Sequence, residues 1–156
     1  MSAAREPETL LLEALLALGP TSVLAVGGAA AVAAEAFRAR RPETVVRSID
    51  EPDELRALAD ARYDAAAVSG LVGARPDRAA RELLAALRDR HCDRVLLAAP
   101  TGAWPLTDYL ALGFELRATG ERVELYWYDV DRYNPEREWN NPEHWANPEN
   151  FKRYRW

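Results

Sequence analysis

The chain has 156 residues, 49% of them hydrophobic and 29% charged, with a formal net charge of −5. That length fits one domain with a packed core, and the apolar content excludes global disorder. The acidic balance argues against a nucleic-acid surface, whose usual footprint is a basic excess, and the single cysteine, Cys92, excludes a disulfide framework and a cysteine-built zinc site.

Thr9 to Leu18 reads as a short helix with Thr9 as its cap, halted by Gly19-Pro20. Glu13 breaks this apolar run, so it is no signal peptide, and no stretch of the chain approaches the roughly 18 apolar residues of a membrane span. A cytoplasmic protein without membrane contact is expected. Ser22 to Gly28 is a continuous apolar run ending in glycines, the pattern of a strand buried on both faces of a parallel sheet. Ala29 to Arg41 reads as a helix ended by Pro42, and Thr44 to Ile49 as a β-branched strand closed by Asp50. Pro52 to Arg62 follows as a helix with proline in its first turn.

Asp64 to Ser69 is a third apolar strand ending at Gly70, and Asp77 to Arg90 a helix with Leu83, Leu84 and Leu87 on one face. Arg94 to Ala99 is a fourth strand, and Thr107 to Leu112 a short helix ended by Gly113. Phe114 to Ala118 and Val123 to Val130 flank Thr119-Gly120-Glu121-Arg122, a hairpin turn in which Gly120 would supply a positive φ. Strand and helix alternate four times before the hairpin. The expected fold is therefore α/β, three-layered and Rossmann-like. A mostly parallel six-stranded sheet with helices on both faces is expected.

Residues 131–156 stand apart from this domain of residues 1–130. Nine of the 14 aromatic residues lie between Tyr126 and Trp156. Asn-Pro-Glu occurs at Asn134, Asn141 and Asn147, each time followed by Trp139, Trp145 or Phe151. Asparagine caps, proline presets φ and glutamate suits a helix N-terminus, so three short helical turns are expected, each presenting an aromatic anchor. With Lys152, Arg153 and Arg155 these rings would suit single-stranded nucleic acid. Residues 129–156, however, hold six acids against five bases, which removes the electrostatic part of such affinity. The extension is expected to pack on its own domain, on a protein partner or on a second copy.

The order of elements resembles the class I S-adenosylmethionine-dependent methyltransferases over roughly Thr9 to Val130. Gly27 stands where that family has a glycine loop beneath the methyl donor, and Asp50, 23 residues on, where an acid holds the ribose hydroxyls. Tyr63-Asp64 looks like the start of the family's fourth strand, and Leu110 to Phe114 like its last helix entering the sixth. The family's loop acid falls on Ala25, and its second and third glycines on Ala29 and Ala31. Only 13 residues separate Asp50 from Asp64, so the family's third strand, part of the adenine wall, is missing. With that strand gone and right-handed crossovers kept, the resemblance implies the sheet order 2-1-3-4-6-5, the last strand antiparallel. The whole chain is also similar to a small bacterial family of this type with an aromatic Asn-Pro-rich C-terminus and no assigned activity.

The strand order reverses between strands 1 and 3, which opens a crevice at their carboxyl ends. Gly27, Gly28, Asp50, Ser69, Gly70, Thr101 and Gly102 face it. They are either a small-ligand pocket or ordinary strand-ending turn residues. Trp104 and Asp108 either overhang this crevice or pack their own loop. No phosphate-binding loop occurs, and Ser69 lacks the Gly-x-Ser-x-Gly elbow of a nucleophile. His91 and Cys92 lack further metal ligands nearby, so no metal is expected and no catalytic residue is assigned. The resemblance with its departures implies a methyltransferase-like domain acting as a non-catalytic scaffold or interaction protein, with no cofactor. The alternative is an enzyme binding S-adenosylmethionine or another adenosine ligand at Gly27 and Asp50.

Each large aromatic buried stabilises a fold by about 1.5–3 kcal/mol, against a total of roughly 5–15 kcal/mol. Ending the chain after Val130 is therefore expected to lower its melting temperature markedly or to make it insoluble. An unchanged melting curve would show residues 131–156 to be an independent arm.

Overall fold

Three strands of small and branched residues form the centre of a six-stranded sheet because their apolar side chains are buried on both of its faces. In the computed structural model, which describes residues 6–50, 52–58, 62–73 and 76–130, β1 (Ser22–Val26) lies between β2 (Val45–Ile49) and β3 (Tyr63–Val68), parallel to both. β4 (Cys92–Pro100) continues the parallel sheet beside β3. The hairpin of β5 (Glu115–Thr119) and β6 (Val123–Asp129) completes it, β6 antiparallel to both β4 and β5. The order is β2-β1-β3-β4-β6-β5, as the resemblance implies.

Helices cover both faces. α1 (Pro7–Leu18) and α2 (Gly28–Arg40) bury Leu10, Leu11, Leu15, Ala30 and Phe37 against Val23, Ala25, Leu96 and Leu125. α3 (Pro52–Ala57), α4 (Asp77–Ala86) and α5 (Leu106–Ala111) cover the other face. There Leu55, Leu84 and Tyr109 join Leu24, Val68, Val95 and Tyr126 in a second apolar cluster. The two clusters lie on opposite faces of one sheet, which makes three layers. No helix among the described residues is long and apolar enough to cross a membrane.

Several local expectations need correction. α1 starts at Pro7 with Glu6 as its N-cap, so Thr9 lies inside the helix and caps nothing. Proline's fixed φ outweighs the hydroxyl signal. The first strand ends at Val26, since Gly27 turns the chain and Gly28 already opens α2. α3 is assigned only over Pro52–Ala57, short of the expected end at Arg62, and residues 59–61 lie outside the described set. The helix from Asp77 passes at Leu87–His91 into a π-helical turn, and β4 then begins two residues early, at Cys92. Gly120 is not among the glycines with positive φ; the hairpin is closed instead by the Gly120 N–H donating to the Val123 carbonyl at 2.7 Å. The helical turns expected beyond Asp131 also lie outside the described residues.

At the amino ends of the strands Asp64 ties β3 to the turn before β1. The Thr21 N–H donates to Asp64 Oδ2 at 2.8 Å, the Thr21 hydroxyl donates to the same oxygen, and the Asp64 N–H donates to Ser22 Oγ at 2.8 Å. These donors, the Thr21 hydroxyl first, hold the Asp64 carboxyl below its ordinary value of 3.8. A depressed folded-state pKa stabilises the fold above the unfolded value and ceases to do so as pH falls through the folded one. Asp64→Ala is expected to cost about 1–2 kcal/mol at neutral pH. In denaturant titrations the gap between variant and parent should close below about pH 4; a constant gap across that range would refute the charge-based account.

Candidate functional site

At the carboxyl ends of β1, β2 and β3 the chain makes its tightest approach. Gly27 has φ 98° and ψ 165°, a region essentially reserved for glycine. A Cβ there would stand 2.2 Å from the Ser69 carbonyl oxygen and 2.8 Å from Ser69 Oγ. Two backbone bonds hold the turn: the Gly27 N–H donates to the Ile49 carbonyl at 3.2 Å, and the Ser69 N–H to the Val26 carbonyl at 2.8 Å. The Ser69 side chain is buried, and its hydroxyl accepts the Ala30 N–H at 2.9 Å. Ala30 is the third residue of α2, so Ser69 caps that helix from another strand and satisfies one of its orphan donors.

Around this turn lie two adjoining cavities. One, of about 220 Å³, is lined by Gly27, Gly28, Asp50, Ser69, Gly70 and Leu83, among others. Asp50 is exposed there, at the end of β2. The other, of about 320 Å³, shares Gly28, Ser69 and Gly70 with the first and extends past Ala29, Pro100 and Arg122 to Glu6 at the start of α1. Five of the six residues proposed from sequence as cofactor-binding thus surround one crevice. Thr101 lines neither cavity: it lies beyond Pro100, its N–H donating to the Arg122 carbonyl at 3.0 Å. Gly102 is likewise turned away, its N–H donating to Glu124 Oε1 at 3.2 Å. Sequence reasoning missed Glu6 and Arg122. The antiparallel pairing of β6 with β4 was the signal that the hairpin turn returns to this end of the sheet.

The residues after β4 pack their own loop. Trp104 is buried, its indole N–H donating to Asp77 Oδ1 at 3.0 Å, with the Arg81 guanidinium 4.6 Å from its ring centroid. Arg81 also donates to Asp108 at 2.7 Å. Tyr109 stacks on Tyr126 with centroids 3.8 Å apart, and burial pushes the Tyr109 hydroxyl up to about 12. Burial pushes the Cys92 thiol up to about 12 as well, which leaves it an unreactive core residue. His91, also buried, closes the π-helical turn. Among the described residues no three His, Cys, Asp or Glu side chains are grouped to hold a metal ion.

A family model described as a family of unknown function, DUF6231, matches residues 5–156. The chain belongs to the DUF6231 family. No curated protein matches this DUF6231 chain. Among solved structures it is similar to an O-methyltransferase family protein from Burkholderia thailandensis, at 10% identity and a TM-score of 0.62 over 78% of this chain. It spans 55% of the length of that protein. It is also similar to the methyltransferase domain of bacterial-CtHen1-CN, at 11% identity and a TM-score of 0.52, over 78% of this chain and 96% of that one. The DUF6231 fold is thus the Rossmann-like fold of class I methyltransferases, and at these identities the likeness concerns the fold alone.

The two glycines of the turn make a matched test. A Cβ on Gly28 would meet nothing within 4 Å, so Gly28→Ala is expected to leave stability nearly unchanged. Gly27→Ala meets both the forbidden φ and the Ser69 backbone, and should cost at least about 3 kcal/mol in chemical denaturation. Equal effects of the two substitutions would refute the close approach.

Proposed function

We propose that this domain works through its surface, as a non-catalytic scaffold or interaction protein, and that its partner is a protein or a second copy of the chain. The observation that carries this reading is the closed floor of the crevice. Ser69 presses on Gly27 and takes the Ala30 N–H, one of the donors that an anionic or carboxylate ligand would use at the start of α2. The cavity beside Asp50, about 220 Å³, falls below the roughly 300 Å³ at which small-ligand pockets begin. Ala25, where the resemblance places the loop acid, is fully buried in an apolar cluster with Ala30 and Ala67. The fold family implies S-adenosylmethionine; Gly27 and Asp50 match its positions, but Ala25, Ala29 and Ala31 replace the rest of its loop, and these residues do not fit that ligand well. The groups whose protonation the fold moves, Asp64, Cys92, Tyr109 and Tyr126, line neither cavity.

One observation favours a second reading, an enzyme or binder of an adenosine-containing ligand. The two cavities share Gly28, Ser69 and Gly70, so an elongated molecule has room across both, with Asp50 in one and Arg122 in the other. Calorimetric titration with S-adenosylmethionine and S-adenosylhomocysteine separates the readings. The expected result is no saturable heat with either compound. A dissociation constant near 1 μM, about −8 kcal/mol, that Asp50→Ala abolishes would overturn the scaffold reading and establish the second.

A further inference from the structure

Among the described residues β2 pairs with β1 and with no other strand, so its far side is an open edge of the sheet. Two bonds fix the direction of its backbone groups. The Val45 N–H donates to the Thr21 carbonyl at 3.0 Å, and the Ile49 carbonyl accepts the Gly27 N–H at 3.2 Å. Along a strand, successive residues turn their N–H and C=O groups to opposite sides. Val45, Arg47 and Ile49 therefore bond β1, and the N–H and C=O groups of Val46 and Ser48 point outward. Side chains alternate in the same way. Ile49 belongs to the apolar cluster beneath α3 and α4, and Val46 packs against the opposite one. Val45 and Arg47 share the Ile49 face, but there Val45 is 62% exposed and Arg47 is exposed too.

Charge along this edge is opposite in sign to that of the whole chain. The protein carries a net charge of −5, whereas the stretch from the end of α2 through β2 exposes Arg40, Arg41 and Arg47 against Glu43. Unpaired ladder groups are a template for a further strand. Unlike charges facing each other across such a pair stabilise it, and like charges oppose it. Arg47 thereby keeps out basic strands, and also a second copy of β2, which would bring its own arginines. An acidic strand meets no such barrier. We infer that an extended, acidic segment of a partner protein adds to β2, its main chain bonding Val46 and Ser48. On the Ile49 face one of its apolar side chains covers Val45 and a carboxylate meets Arg47. The inference rests on the reading of this domain as an interaction protein and names the chemistry of the partner.

Two fluorescein-labelled peptides make the test: Thr-Val-Glu-Val-Glu-Val-Thr, and the same peptide with lysine in place of glutamate. Each is titrated with the full chain by fluorescence anisotropy at about 0.15 M salt, and melting curves confirm that every variant is folded. The glutamate peptide is expected to bind saturably and at least about tenfold more tightly than the lysine peptide. Arg47→Glu should reverse that preference. Arg78→Glu, on α4 with a side chain 91% exposed, should leave it as in the parent. Ser48→Pro separates strand addition from plain charge attraction. It removes one outward N–H, a change that an edge strand tolerates, and should abolish binding with Arg47 still in place. No saturable binding, equal affinities for the two peptides, or undiminished binding to Ser48→Pro would each overturn the inference. So would a dimer in sedimentation that Ser48→Pro dissolves, by showing a second copy on this edge. None of these results bears on the calorimetric titration at the crevice, so the two readings fail separately.

Discussion

The close approach of Gly27 to Ser69 is the constraint on which the rest of this architecture depends. Because a Cβ at Gly27 would stand 2.2 Å from the Ser69 carbonyl, the first β–α turn can rest directly on the end of β3. α2 then starts immediately, and its third N–H reaches the Ser69 hydroxyl. The turn also receives the Ile49 carbonyl of β2, so one glycine gathers the carboxyl ends of three strands. The point where strand order reverses is thereby fixed, and with it the place where any cleft must open. Closeness has a consequence for that cleft. Packing that makes the turn rigid also removes free donors and volume from its floor.

The sheet ends differently on its two sides. β2 has no outer neighbour, and its exposed face carries Val45, 62% exposed, with Arg47 at its centre. A charged residue on a five-residue edge strand discourages a further strand from pairing there. At the other side β5 is equally exposed but bulged between Leu116 and Ala118, and the bulge serves the same end.

Much of this fold was legible because its strands end in glycine, serine or proline and its helices carry apolar faces. Ala65-Ala66-Ala67 has helical propensity, yet six residues closed by Ser69-Gly70 are too short for a helix to bury, and as strand Ala66 and Ala67 pack in the clusters on opposite faces. Boundaries were less legible. Thr9 and Pro7 both signal a helix start, and only the proline acts. Gly120 signals a left-handed turn, whereas the Gly120 N–H to Val123 bond closes the hairpin without one. At the site, Gly27, Gly28, Asp50, Ser69 and Gly70 follow from strand ends alone, because topology sends every parallel strand's carboxyl end to one side. Thr101 fails because β4 runs on to Pro100, and residues past it turn toward the β5–β6 hairpin. Glu6 and Arg122 belong to no strand end of the parallel set, so no local pattern marks them.

Charge is distributed in a way that bears on function. Two polar clusters of the described residues lie outside the crevice: Asp64 with Thr21 at the opposite end of the sheet, and Asp77, Trp104, Arg81 and Asp108 joining α4 to the loop after β4. Both fix secondary elements to one another. A catalytic cleft usually inverts this arrangement, because acids, bases and nucleophiles work when burial and neighbouring charges displace their protonation toward the working pH. Here burial moves Tyr109, Tyr126 and Cys92 away from that range, deep in the core, and backbone and small residues form most of the crevice.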